Sequence, residues 1–150
     1  MLIEITAETK DHFKMVARIL EDNNFTPQLI PFCKNRGWDG EWILWYDDTI
    51  WKTIGLTYTK RDKTFDKKEP FLWATIVIVI KEYRGKGYGT NIMGVLKNRA
   101  VQTKRMLVVD PDTKRNERFY SKLGFEYDNK GKPDCHGQVM MTFNSIKCGS

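Results

Sequence analysis

Val79-Ile80-Lys81-Glu82-Tyr83-Arg84-Gly85-Lys86-Gly87-Tyr88-Gly89-Thr90 is the stretch on which the reading of the fold turns. It is preceded by an apolar run, Phe71 to Ile80, broken only by Thr75 and rich in Val and Ile. Such a run reads as a buried strand, predicted over Pro70 to Ile80, and it is far short of the roughly 20 residues a membrane-spanning helix needs. After it, Ile92, Val95, Leu96 and Ala100 recur at helical spacing, which predicts a helix from Tyr88 to about Thr103. A buried strand therefore feeds a glycine-rich turn that opens a helix. Glycines let a ligand approach the backbone closely, and the start of a helix presents unpaired N–H groups at the positive end of its dipole. Arg84 and Lys86 add full charges, so the turn is a seat for an anion. It is not a dinucleotide fingerprint, because Thr90 stands at the third glycine position, and no nucleotide P-loop pattern is present.

Working outward, Leu2 to Thr6 reads as a strand, and Ala7 to Asp22 as a helix with Phe13, Val16, Ala17 and Leu20 on one face. Thr26-Pro27 marks the start of a short helix ending near Gly37. Glu41 to Tyr46 and Ile50 to Tyr58 form a hairpin through Asp47-Asp48-Thr49. Thr59 to Glu69 is a charged connection. Met106 to Val109 is a further strand, Lys114 to Leu123 a helix stopped by Gly124, and Gln138 to Phe143 a final strand. The order βααβββαβαββ predicts a mixed α/β sheet flanked by helices on both faces.

With 150 residues, 41% of them hydrophobic, the chain suits one domain over residues 1–150, and no linker, repeat or low-complexity segment divides it. The N-terminus lacks the pattern of a signal peptide. Cys33, Cys135 and Cys148 match no zinc or redox spacing and read as free thiols of a cytoplasmic protein. His12 and His136 have no ligand cluster around them, so no metal is expected. The net charge of +6 favours anionic partners, but the basic residues are dispersed among acids, which points away from a nucleic-acid stripe.

At the glycine turn the sequence resembles the GNAT superfamily of N-acetyltransferases. The signature R/Q-x-x-G-x-G/A reads Arg84-Gly85-Lys86-Gly87-Tyr88-Gly89, with Val79 five residues before the arginine. A second element of the family, aromatic-Tyr-x-x-x-Gly-Phe, reads Phe119-Tyr120-Ser121-Lys122-Leu123-Gly124-Phe125. The order of strands and helices agrees over nearly the whole chain.

The resemblance implies acetyl-CoA as co-substrate, an amine as acceptor, and direct attack in a ternary complex. It implies that Val77 and Val79 offer backbone groups to the pantetheine arm, and that the amides of Gly85, Lys86, Gly87, Tyr88 and Gly89, with Thr90, hold the pyrophosphate. Arg84 helps by charge and turn geometry. Tyr120 donates a proton to the leaving thiolate. The family's asparagine contact to the cofactor falls to Thr113 or Asn116, with Asn116 preferred. Relatives keep a glutamate base near Trp73 or near Val108, and neither position is acidic here. Glu69, Asp62 and His136 are the remaining candidates for a base; a water chain needs none. Trp73 walls an acceptor pocket or belongs to the core. Dimers are frequent among such proteins, so a homodimer is compatible, and no membrane partner is implied. Two other readings stay open: a non-catalytic acyl-CoA-binding sensor, and a toxin-like enzyme that acetylates aminoacyl-tRNA.

Overall fold

The computed structural model describes residues 1–24, 40–62, 71–111, 114–127 and 140–143. The strands are β1 (Leu2–Thr6), β2 (Glu41–Asp47), β3 (Lys52–Asp62), β4 (Phe71–Val79), β5 (Met106–Val109), β6 (Glu126–Tyr127) and β7 (Met141–Phe143). The described helices are α1 (Lys10–Asp22), α2 (Tyr88–Gln102) and α3 (Lys114–Lys122), with a short 3₁₀ turn at Lys81–Tyr83. The seven described strands join one mixed sheet in the order β1-β2-β3-β4-β5-β7-β6. The mixed α/β class expected from the sequence is therefore present. The helix expected from Thr26 and all three cysteines lie outside the described residues.

The chain divides into two compact units, Met1–Lys60 with Ile76–Asn91, and Arg61–Thr75 with Ile92–Ser150. In the first unit β1, β2 and β3 are antiparallel, with Ile5 opposite Leu44, Leu44 opposite Leu56 and Trp42 opposite Tyr58. The alternation of strands puts these side chains on one face. There Val16, Ile19 and Leu20 of α1 pack against Trp42, Leu44, Leu56, Tyr58, Ile76 and Ile78. Ile19 completes the buried stripe of α1, while Ala17 is only half-buried. On the opposite face Trp45 donates its indole N–H to Thr57 Oγ1 at 2.9 Å, so the buried polar pair is satisfied.

Helix α1 begins at Lys10, three residues later than Ala7, because Thr9 caps it. The Thr9 hydroxyl accepts from the His12 amide at 3.1 Å, and His12 Nδ1 accepts from the Thr9 amide at 3.3 Å. A cap of this kind stabilises a helix by about 1 kcal/mol. The hairpin also differs from expectation. Ile50 and Trp51 have strand-forming side chains, yet they lie in the turn, and β3 starts at Lys52. At its other end β3 runs on to Asp62, through residues whose charge had suggested a connection.

In the second unit β4 and β5 are parallel, Phe71 opposite Met106 and Trp73 opposite Val108. β7 pairs antiparallel with β5, and β6 with β7. The buried residues of α2 in this unit are Ile92, Met93, Leu96 and Ala100; Met93 takes the place expected of Val95, which is half-buried. Gly124 follows α3 at φ +92 and ends it. No helix among the described residues is long and apolar enough to cross a membrane.

Candidate functional site

The described ladder between β4 and β5 covers Phe71–Ala74, and β4 continues beyond it to Val79. Along this extension Ile76 and Ile78 are buried against α1, while Val77 and Val79 lie half-buried on the other face. The strand ends where the Ile80 amide donates to Ile54 O of β3 at 2.8 Å. The 3₁₀ turn then leads into Arg84 and the glycines. Gly85 and Gly87 have φ of +78 and +86, the left-handed region that other residues enter at a cost. A Cβ on either would meet nothing within 4 Å. The glycines are thus demanded by the backbone angle, and the space in front of them is open.

Helix α2 starts directly after Gly87, and its first ladder bond runs from the Asn91 amide to Gly87 O at 3.1 Å. The amides of Tyr88, Gly89 and Thr90 lie in the first turn, where a helix has no internal acceptors for them. A short positive-φ turn followed by those amides is what an anion needs. All the turn residues proposed from the sequence, Arg84 to Thr90, are brought together here with Val77 and Val79.

Two tethers that sequence spacing did not reveal fix the turn. Arg84 lies exposed, but its guanidinium is engaged by protein acceptors: Nε donates to Val79 O at 2.9 Å, and one terminal nitrogen donates to Asn23 Oδ1 at 3.0 Å. Asn23 is the C-cap of α1 and itself donates to Ile19 O at 2.8 Å. Arg84 therefore ties the strand end and the end of α1 to the turn. On the other side the Tyr88 hydroxyl donates to Asp47 Oδ2 at 2.5 Å. That bond is the leading reason the Asp47 carboxyl is pulled down to about 2, with the Thr49 amide adding to it. The same bond pushes the Tyr88 phenol above its ordinary value. Tyr83 meets Tyr88 edge-on with 6.4 Å between ring centroids, and the Lys86 ammonium lies 5.9 Å from the Tyr83 ring. Asp47 and Asn23 are 41 and 61 residues from their partners, beyond any periodic pattern.

In the second unit Asn116 and Tyr120 stand four residues apart on α3, hence on one side of the helix. Tyr120 is buried, with Phe119 at 5.3 Å and Phe125 at 5.4 Å between centroids, and Phe125 continues the cluster to Phe143 at 6.0 Å. Lys97 covers the Phe143 ring at 4.6 Å and donates to Leu123 O, closing the end of α3. Both Phe119 and Phe125 pack against the phenol ring. Thr113, Glu69 and His136 lie outside the described residues, as does the side chain of Asp62. Trp73 and Val108, near which the resemblance would put a glutamate, are direct cross-strand neighbours and make an apolar pair. Among the described residues the buried indole N–H of Trp73 has no hydrogen-bond partner. Among the described residues no three His, Cys, Asp or Glu side chains converge as a metal site.

Residues 8–125 match the family model described as Acetyltransferase (GNAT) family. The chain belongs to the GNAT acetyltransferase family. The GNAT match spans both the glycine turn and the Tyr120 motif. No curated protein matches the sequence. Solved structures with the same fold include a histone acetyltransferase HPA2-related protein from Corynebacterium glutamicum. It is 17% identical with a TM-score of 0.68, and the match covers 94% of each chain. A GNAT-family acetyltransferase from Desulfovibrio desulfuricans is 13% identical with a TM-score of 0.71, over 97% of this chain and 99% of that one. AtaTR bound with acetyl-CoA is 13% identical with a TM-score of 0.65, over 98% and 96%.

Proposed function

We propose that this GNAT chain is a single-domain, acetyl-CoA-dependent N-acetyltransferase acting in the cytoplasm on a primary amine. The observation that carries the reading is the turn itself: two positive-φ glycines with open space before them, at the start of α2 and tethered on two sides. The solved AtaTR complex with acetyl-CoA supports the choice of co-substrate. The amides of Gly85 to Gly89, with Thr90, hold the pyrophosphate. The backbone of Val77 and Val79 pairs with the amides of the pantetheine arm in the manner of an added strand. Asn116 is the candidate for the asparagine contact to the cofactor.

The acceptor amine attacks the thioester carbonyl; a C–N bond forms and the C–S bond breaks. A backbone N–H of β4 meets the developing oxyanion. Tyr120 gives its proton to the departing thiolate, a role general acids fill for about 10²–10⁴ in rate. With Trp73 and Val108 apolar, the proton lost by the amine goes to water, which favours acceptors that arrive partly neutral. Calorimetric titration with acetyl-CoA, followed by thiol release with a panel of small amines, peptide N-termini, lysine peptides and aminoacyl-tRNA, tests the reading. Micromolar binding and amine-dependent thiol release are expected. Binding without turnover on any amine would leave the acyl-CoA sensor instead, and no binding by the folded protein would remove both.

A further inference from the structure

The residue that closes the β2–β3 turn is a tryptophan in an unfavourable place. Trp51 holds φ +58 and is 73% exposed. The left-handed region suits Gly or Asn, and a bulky residue there is an outlier that costs energy. An indole in water also forgoes the burial that its large apolar surface would bring. Backbone and solvation both argue for another residue, and strain kept at one position points to use.

The position suggests the use. Lys52, the next residue, is the register partner of Asp47, whose carboxylate accepts from Tyr88 in the glycine turn. Two residues further on, Ile54 O accepts from the Ile80 amide at the end of β4. The tip of the hairpin and the glycine turn therefore occupy the same end of the first unit. Lys52, Lys81 and Lys86 are all exposed there. An exposed aromatic face at the same end of the unit as the glycine turn and these lysines, with Asp47 and Asp48 engaged by Tyr88 and the N-terminal amine, suits a purine carrying a phosphate.

We propose that Trp51 is the stacking platform for the adenine ring of acetyl-CoA, with Lys52 beside it facing the 3′-phosphate. The assignment rests on the co-substrate reading above and adds to it the face that selects the nucleotide end. Stacking on one aromatic side chain is worth about a 5- to 150-fold change in affinity.

Trp51→Gly separates this role from a structural one, because glycine relieves the strained φ. The variant is expected to melt at the same temperature as the parent or higher, and yet to bind acetyl-CoA about 5- to 150-fold more weakly. Its affinity for acetyl-phosphopantetheine, which lacks the adenosine end, stays at the parent's value. Trp51→Phe restores most of the acetyl-CoA affinity. Equal losses for both thioesters, or unchanged acetyl-CoA affinity in Trp51→Gly, would overturn the assignment; the latter is the outcome if the ring docks a protein partner instead. A parent that binds neither thioester would overturn the co-substrate reading as well, so the two failures are distinguishable.

Discussion

Gly87→Ala isolates the demand that the glycine turn makes on the backbone. The new methyl group meets nothing within 4 Å, so the substitution brings no clash. What remains is the cost of an L-residue at φ +86, about 1–2 kcal/mol. For a chain of this length each kcal/mol moves the melting temperature by roughly 2–4 °C, so a fall of roughly 2–8 °C is expected. Gly94 supplies the control. It lies inside α2, a Cβ added there would also meet open space, and its φ is not positive. Gly94→Ala should raise stability by about 0.5–1 kcal/mol, the opposite sign for the same chemical change. The methyl at position 87 also enters the space assigned to the pyrophosphate. Losing one charge-assisted hydrogen bond weakens acetyl-CoA binding roughly 10- to 150-fold. Thermal melts with and without acetyl-CoA, together with calorimetry, read both effects. Equal melting shifts in the two variants would refute the backbone argument, and unchanged affinity in Gly87→Ala would refute the anion seat.

Tyr120→Phe keeps the packed ring and removes the proton donor; kcat should fall about 10²–10⁴-fold with the melting temperature little changed, measured by thiol release. Arg84→Lys keeps the charge but not the fork that reaches Val79 and Asn23 together, so acetyl-CoA affinity should fall, with a smaller fall for Asn23→Ala, by calorimetry. The Asp47 carboxyl is held at about 2 against an ordinary 3.8, so its contribution to stability is full above about pH 4 and is lost as pH falls through about 2. Tyr88→Phe removes the leading cause, and carboxyl NMR titration should then show Asp47 moving back toward its ordinary value. In the parent the phenol's contribution is present below pH 10 and lost only above it, which ultraviolet titration of Tyr88 follows.

Legibility in the sequence followed the range of the interactions. Val/Ile-rich Phe71–Val79 and the regular apolar spacing of Tyr88–Gln102 are local patterns, and both elements lie within a residue or two of their expected ends. The hairpin misled because propensity and turn geometry disagree at Ile50 and Trp51, and the turn prevailed. The expected order had two strands after the last helix but no bounds for the first of them; Glu126–Tyr127 is two residues long and rests on pairing with Thr142 and Met141, which no local window locates. Likewise the glycine turn was visible as a motif, whereas the bonds that brace it join Asp47 to Tyr88 and Asn23 to Arg84. These are meetings of side chains that only the folded sheet and α1 bring about.

The extension of β4 past its described ladder with β5 bears on how the family can diverge. Under the proposed function, a slot that reads the pantetheine arm through main-chain groups is indifferent to which β-branched residues stand at positions 77 and 79. Its specification is carried by a strand direction and a stopping point, and many sequences can supply those. Solved structures at 13–17% identity keep TM-scores of 0.65–0.71 while most side chains differ. On this view mutational scanning of 75–79 would find tolerance to apolar exchange and a sharp penalty for proline, whose ring removes the N–H that such a slot uses.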